Sequence, residues 1–99
     1  MSRMDADEAR LVALREVNRY RARAHAELRK LIGEPDGFEA AGPSGKLYAV
    51  EVEVFWDDRV GGDLRVTAMV DDGSRRAFTF PVSEDFIMRP DGSFAGEEG

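Results

Sequence analysis

Residues that could carry chemistry are few in this chain of 99 residues, and none of them lies in a catalytic pattern. The absence of cysteine excludes disulfides and thiolate metal sites. His25 is the single histidine. Catalysis by a lone histidine requires a nucleophile or a carboxylate beside it, and no nearby motif supplies either. We therefore interpret His25 as a partly exposed surface residue and expect no catalytic residues.

Two kinds of loop have the composition of a ligand-binding loop without its spacing. Residues 42–46 read Gly-Pro-Ser-Gly-Lys, but a phosphate-binding loop requires glycine where Ala40 stands and serine or threonine where Leu47 stands. The acidic turns lack the alternating acids and the closing glutamate of a calcium loop. They contain Asp57, Asp58, Asp63, Asp71 and Asp72. The sequence therefore predicts no metal and no cofactor.

A long N-terminal helix is predicted over residues 5–32. No glycine or proline interrupts the chain between Asp7 and Ile32, and Gly33 follows as a C-terminal stop. At about 100° per residue, most apolar side chains of this segment form one stripe that we expect to face the core. The stripe contains Leu14, Val17, Tyr20, Ala24, Leu28, Leu31 and Ile32.

Three residues of this helix depart from the division into an apolar and a polar face. Arg21 projects into the stripe, whereas Leu11 and Val12 lie outside it. Arg21 has three interpretations: its stem is buried while its head reaches an acidic loop, it pairs with a carboxylate across a subunit interface or in a cleft, or it anchors a ligand. The helix is also longer than the strands, so its first turns are expected to overhang the sheet and contact a second copy.

The rest of the chain is predicted to be a loop, a sheet and a tail. Residues 33–46 are rich in glycine and proline and are expected to form a long loop. An antiparallel meander is predicted over residues 47–96, and residues 97–99 are expected to fray. A chain of this length accommodates one domain, so the helix, loop and meander are assigned to a single unit.

Alternation of apolar and polar residues predicts the strands of the meander. The first covers residues 47–56, the second covers 64–70, and the third follows a hairpin turn and covers 75–80. A short fourth strand is expected near the C-terminus, where Phe94 returns to the sheet. On the outward side of the sheet, cross-strand ion pairs are expected among Glu51, Glu53, Arg65 and Arg75.

The predicted fold class is α+β, with a long N-terminal helix packed on one face of a three- to four-stranded antiparallel β-meander. This two-layer arrangement resembles cystatin-like folds and implies no activity by itself. The net charge of −6 is unevenly distributed. Residues 1–32 hold eight basic and five acidic side chains, and residues 33–99 hold six basic and fifteen acidic ones. The helix is therefore basic and the meander acidic.

The C-terminal segment resembles the ends of small bacterial α+β proteins to which no activity is attached. The matching residues are Phe86-Ile87, Pro90-Asp91-Gly92, Phe94 and Gly96-Glu97. No apolar run is long enough to span a bilayer, and the N-terminus lacks the apolar segment of a secretory signal. We therefore expect a bacterial, cytoplasmic protein.

The leading hypothesis is a non-catalytic protein-interaction module that acts as a homodimer or an adaptor. Its predicted interface comprises Leu11, Val12, Arg21, Phe55 and Met69. One alternative is an enzyme or a pocket for a small molecule or anion between helix and sheet, lined by Tyr20, Arg21, Tyr48, Trp56 and Phe78. A second alternative is nucleic-acid binding through Arg15, Arg19 and Arg23, against which the acidic net charge argues.

Overall fold

The computed structural model describes residues 6–71 and 82–97 and shows helices packed on one face of an antiparallel sheet. Its elements are α1 (Ala6–Arg21), α2 (His25–Arg29), β1 (Asp36–Ala41), β2 (Leu47–Trp56), β3 (Leu64–Asp71) and β4 (Val82–Met88). The four strands lie in the order β1-β2-β3-β4, and every neighbouring pair is antiparallel. The sheet is therefore a meander, and the predicted α+β fold class is confirmed.

The helix predicted over residues 5–32 is two helices in the structure. α1 ends at Arg21, and the turn that follows places Ala24 in an extended conformation with φ −73° and ψ 154°. The Glu27 carboxylate accepts a hydrogen bond of 3.1 Å from the Ala24 amide and so caps α2. The new direction of the chain brings Leu28 into the core, where it is fully buried. No glycine or proline marks this break, and α2 packs on β2 and β3 in its new direction.

α1 buries a different face from the one that its apolar residues predict. Val12 is fully buried, so its assignment to an interface outside the stripe is wrong. Leu14, which the stripe includes, is 40% exposed. Two features explain the error. The buried face includes two glutamates, which an apolar stripe leaves out. The chain also breaks after α1, so one stripe drawn through residues 5–32 combines two helix axes. The buried residues of α1 are Glu8, Ala9, Val12, Ala13, Glu16, Val17 and Tyr20.

The predicted loop over residues 33–46 contains the first strand of the sheet. β1 pairs with the first half of β2. The chain turns between them through residues 42–46, where the Gly42 amide donates a hydrogen bond of 2.8 Å to the Lys46 carbonyl. The strand is hard to recognise in the sequence because its six residues include few apolar side chains and are flanked by glycine and proline.

β2 and β3 follow the predicted alternation. Their inward side chains are buried and lie opposite one another across the strands, as in the pairs Val50↔Val70 and Val54↔Val66. The inward side of the sheet and the buried face of α1 form one hydrophobic core. The buried residues of the sheet are Tyr48, Val50, Val52, Val54, Leu64, Val66, Ala68, Val70, Phe86 and Met88.

β4 pairs with β3 and completes the described sheet. Phe94 then forms an antiparallel bridge with Met88, so the expected return of the C-terminal segment to the sheet is confirmed. The predicted strand over residues 75–80, with Phe78 in it, lies outside the described residues. Residue 5, where the helix is predicted to begin, and the last two residues of the tail also lie outside them.

The side of the sheet opposite the helices, which we call the outer face, has no described helix packed on it. α1 contains 16 residues and is about 24 Å long, whereas β2 contains 10 residues and is about 33 Å long. The length argument for an overhanging helix therefore does not hold for the described residues. Neither described helix is long and apolar enough to cross a membrane. The outer face consists of Gly37, Glu39, Ala41, Leu47, Ala49, Glu51, Glu53, Phe55, Arg65, Thr67, Met69, Asp71, Ser83, Asp85 and Ile87.

Val12→Asp is expected to destabilise the protein strongly, because it places an unpaired charge at a fully buried position. The free energy of unfolding should fall by at least about 3 kcal/mol. Leu11→Asp is the matched control, because Leu11 is 56% exposed and its replacement should cost no more than about 0.5 kcal/mol. Urea denaturation followed by circular dichroism measures both losses. Equal losses for the two variants would contradict the described orientation of α1.

Candidate functional site

The structure does not bring the predicted pocket residues together. Tyr20 lies beside β1, whereas the Arg21 guanidinium lies over the ring of Phe86 in β4, at the opposite edge of the sheet. Tyr48 is buried in the core, and Trp56 packs near His25. Phe78 lies outside the described residues. A pocket with this predicted lining is therefore not assembled by the described part of the chain.

A cleft of about 270 Å³ lies between the end of α1 and β1. The Tyr20 hydroxyl donates a hydrogen bond of 2.9 Å to Asp36 Oδ2 across it. Burial raises the pKa of Tyr20 above its ordinary value, and the hydrogen bond to Asp36 acts in the same direction. The phenol is therefore neutral at physiological pH and serves as a donor. The residues that line the cleft are Glu16, Arg19, Tyr20, Arg23, Asp36 and Phe38.

Arg15 and Arg19 of α1 and Arg23 in the turn after it, which we call the arginine row, lie on the side of the helices that is nearest to β1. Arg15 Nη2 donates to the Ala41 carbonyl at 2.9 Å. Arg15 and Arg19 also donate to the buried carboxylate of Glu16, at 2.9 Å and 3.0 Å. Arg23 has no carboxylate partner among the described residues. The helix face that the sequence suggests for nucleic acid is thus partly neutralised and flanks a strand.

Arg23 is held in place by an aromatic ring. Its Cζ atom lies 4.5 Å from the centroid of the Tyr20 ring, within the range of a cation–π contact. Glu27, four residues further along the chain, uses its carboxylate to cap α2. Arg23 therefore presents an oriented guanidinium to the cleft, and its fork of N–H donors matches the geometry of a carboxylate.

Arg21 forms a contact within the chain that holds the C-terminal segment against the helix. Its Cζ atom lies 4.9 Å from the ring centroid of Phe86 and 4.7 Å from that of Phe94. The guanidinium donates to both carboxylate oxygens of Glu97, each at 2.8 Å, and to Asn18 Oδ1 at 2.8 Å. The carboxylate that Arg21 meets thus belongs to the same chain.

Glu8 lies on the buried face of α1 and accepts several hydrogen bonds, and no sequence pattern points to it. The Ser44 amide and hydroxyl donate to it at 2.6 Å and 2.9 Å, and the Tyr48 hydroxyl donates at 2.6 Å. The hydrogen bond from Tyr48 lowers the pKa of Glu8, as do those from Ser44 and the charge of Lys46. The segment that resembles part of a phosphate-binding loop therefore binds an anion of its own chain.

Gly42 makes room for this arrangement. A Cβ atom at position 42 would lie only 2.8 Å from the Glu8 Cδ atom. Any side chain there would displace either the hairpin or the carboxylate, because a Cβ atom does not approach another carbon atom this closely. The signal that could have identified Glu8 is its position: it lies one helical turn before Val12 on the face that α1 actually buries.

The outer face combines exposed apolar side chains with acidic ones. Phe55 is 41% exposed, and Leu47, at the start of the same strand, is 57% exposed. The expected pairs of Glu51 and Glu53 with Arg65 do not form. Arg65 instead lies opposite Phe55 and donates to Asp57 and to Asp85. Met69 lies opposite Glu51 and is half-buried.

His25 and Trp56 connect α2 to the loop between β2 and β3. His25 Nε2 lies 3.0 Å from the Gly62 carbonyl, so a proton on Nε2 completes a hydrogen bond. The rings of His25 and Trp56 have centroids 6.2 Å apart. In residues 6–71 and 82–97, no group of three or more His, Cys, Asp or Glu side chains could hold a metal ion.

Glu8→Gln is expected to lower the Tm by several degrees at neutral pH, because it removes the charge that Ser44 and Tyr48 solvate. The pKa of Glu8 is lower in the folded chain than its usual 4.5, so this stabilisation is present above that value. It is lost as the pH falls through the folded-state pKa. Thermal unfolding from neutral to acidic pH should therefore show the two proteins converging. Glu34→Gln, at an exposed position, is the control, and a pH-independent gap would contradict the prediction.

Arg21→Lys is expected to loosen the C-terminal segment without unfolding the core. Lysine cannot bind Glu97 through two parallel hydrogen bonds or stack as a plane on Phe86 and Phe94. The Ala95 amide donates to the Ile87 carbonyl at 2.9 Å and reports on this segment. Its hydrogen exchange should accelerate in Arg21→Lys and stay unchanged in the control Arg29→Lys. Unchanged exchange at Ala95 in both would show that Arg21 does not hold the segment.

Neither a protein-family model, nor a curated protein, nor a solved structure matches the chain. Two surfaces of the described residues differ in charge: the outer face, which is acidic and partly apolar, and the cleft with the arginine row beside β1.

Proposed function

We propose that the protein is a non-catalytic protein-interaction module and that its docking surface is the outer face of the sheet. The observation that carries this proposal is the exposure of Phe55 and Leu47 on a sheet face that no described helix covers. Apolar surface buried on binding contributes about 25 cal/mol per Å². Phe55 and Leu47 lie about 27 Å apart on β2, and half-buried Met69 and Ile87 lie on the same face. Exposed apolar side chains among polar ones are typical of protein-docking surfaces. A partner that covers Phe55 and its neighbours would therefore gain binding energy from them.

The charge of the outer face defines the partner. The face carries five carboxylates and one guanidinium, and Arg65 already binds Asp57 and Asp85. Across the strands, Glu51 lies beside Gly37 and Met69, and none of these neighbours is basic. Such a surface favours a partner that presents basic and apolar side chains together. The uncompensated carboxylates of the described face are Glu39, Glu51 and Glu53.

The acidic charge of the outer face also favours binding to a different protein over binding to a second copy of the chain. In a symmetric dimer that stacks two outer faces, the acidic face of one copy would meet the acidic face of the other. Like charges that face one another across an interface reduce affinity. The adaptor form of the interaction module, with a partner of opposite charge, is therefore favoured over self-association through this face.

The test uses a synthetic peptide that alternates valine with lysine, added to isotope-labelled protein. Amide resonances of the outer-face residues in β2 and β3 should shift, and the affinity should fall as salt is raised. The double variant Glu51→Gln/Glu53→Gln should bind about fivefold more weakly, whereas Glu34→Gln should bind as the wild type does. Shifts that are spread evenly over all acidic turns, or equal affinity for the three proteins, would contradict the proposal.

Light scattering of the same proteins tests self-association. The proposal predicts the mass of a single chain, 11.0 kDa, at micromolar concentration. A dimer that dissociates on Phe55→Lys would assign the outer face to a second copy of the chain instead. A dimer that survives this change would remove self-association from the outer face, and the result with the peptide would stand separately.

A further inference from the structure

β1 leaves one edge of the described sheet open. It pairs with β2 on one side, and no described strand pairs with its other side. An edge strand presents alternate N–H and C=O groups that are available for pairing. The edge of β4 differs, because the Ala95 amide donates to the Ile87 carbonyl and Phe94 bridges Met88 there. β1 contains neither proline nor a bulge that would block its edge.

The arginine row runs along this open edge. Arg15 donates to the carbonyl of Ala41 at one end of β1, and Arg23 stacks on Tyr20, which donates to Asp36 at the other end. Arg15 and Arg19 are four residues apart on α1, which corresponds to about 6 Å along the helix axis. Side chains on one face of a strand are about 6.8 Å apart. A strand added to β1 would therefore present its helix-side residues at nearly the spacing of Arg15 and Arg19.

The charge beside this edge is positive. Three guanidiniums of the row face two carboxylates, those of Glu16 and Asp36. Glu16 is shared by Arg15 and Arg19. Arg23 is left without a carboxylate among the described residues, and its contact with Tyr20 holds it in position at little entropic cost to a ligand.

We propose that the open edge of β1 binds an extended peptide segment of a partner protein by strand addition, with acidic residues at alternate positions facing Arg19 and Arg23. The backbone of the segment pairs with β1, which supplies affinity independent of its sequence. The acidic side chains enter the cleft, which supplies specificity through charge-assisted hydrogen bonds. The inference extends the proposed function to a second surface, and the two surfaces select partners of opposite charge.

A small free carboxylate could bind the same guanidiniums as the acidic side chains of a peptide. The open edge of β1 favours the peptide. A small molecule uses the cleft alone. A peptide uses both the cleft and the unpaired backbone of β1, two features that lie side by side here.

The experiment uses a blocked synthetic peptide that alternates valine with glutamate, added to isotope-labelled protein. Amides of residues 36–41 should shift, and alternate amides of β1 should exchange more slowly with solvent. Arg23→Gln should weaken binding about tenfold, because one charge-assisted carboxylate contact is lost. Arg29→Gln removes the same charge from α2 and should leave the affinity unchanged. The lysine-containing peptide of the same length should leave the hydrogen exchange of the edge amides of β1 unchanged, because it binds the outer face and not the edge.

Four results would overturn the proposal. The first is the absence of shifts in residues 36–41 with millimolar peptide. The second is equal affinity of wild type, Arg23→Gln and Arg29→Gln. The third concerns two peptides that are N-methylated on alternate residues, so that each has one edge of its strand blocked. The proposal fails if both of them bind as tightly as the unmodified peptide. The fourth is binding of glutarate as tightly as the peptide, which would show that the ligand is a small carboxylate and not a peptide strand. Glu51→Gln/Glu53→Gln should not affect this binding, so failure here and failure of the outer-face proposal remain distinguishable.

Discussion

The hydrogen bonds from the β1–β2 hairpin to the Glu8 carboxylate determine where the other parts of the structure lie. Apolar packing holds α1 mainly against β3 and β4, but such packing is non-directional. The bonds from Ser44 and Tyr48 remove that freedom, because hydrogen bonds require a defined distance and angle. Arg15 and Tyr20 then reach opposite ends of β1. The cleft and the open strand edge thus depend on a carboxylate that lines neither of them.

The charge asymmetry of the chain is partly used inside the fold and partly displayed. Glu16 binds two arginines of α1, and Glu97 binds Arg21, so these acidic groups neutralise the helix locally. What remains is a basic strip beside β1 and an acidic outer face with exposed Phe55. The two surfaces are separated by β1 itself, since its side chains alternate between them. One strand therefore borders two regions of opposite charge.

Much of the sheet could be predicted from the sequence, because strict alternation in residues 47–56 and 64–70 reports directly which side chains face the core. The break after α1 could not, because residues 22–24 contain no helix-breaking residue and tertiary packing decides their conformation. β1 was hidden by its weak alternation. The candidate site could be predicted only in part. Tyr20 does line a cleft, as a pocket residue was expected to do. The carboxylates that organise the cleft, Glu8 and Glu16, lie on a helix face that hydrophobicity alone assigns incorrectly.

An open strand edge is a hazard as well as a binding surface, because two copies of a chain can join through it into a longer sheet. If two β1 edges paired about a twofold axis perpendicular to the sheet, both α1 helices would lie on the same side of the joined sheet. The two arginine rows would then face each other across the junction, and Arg23 of each copy has no carboxylate partner among the described residues of its own chain. If the row binds an acidic strand as proposed, the same guanidiniums would oppose the pairing of two β1 edges.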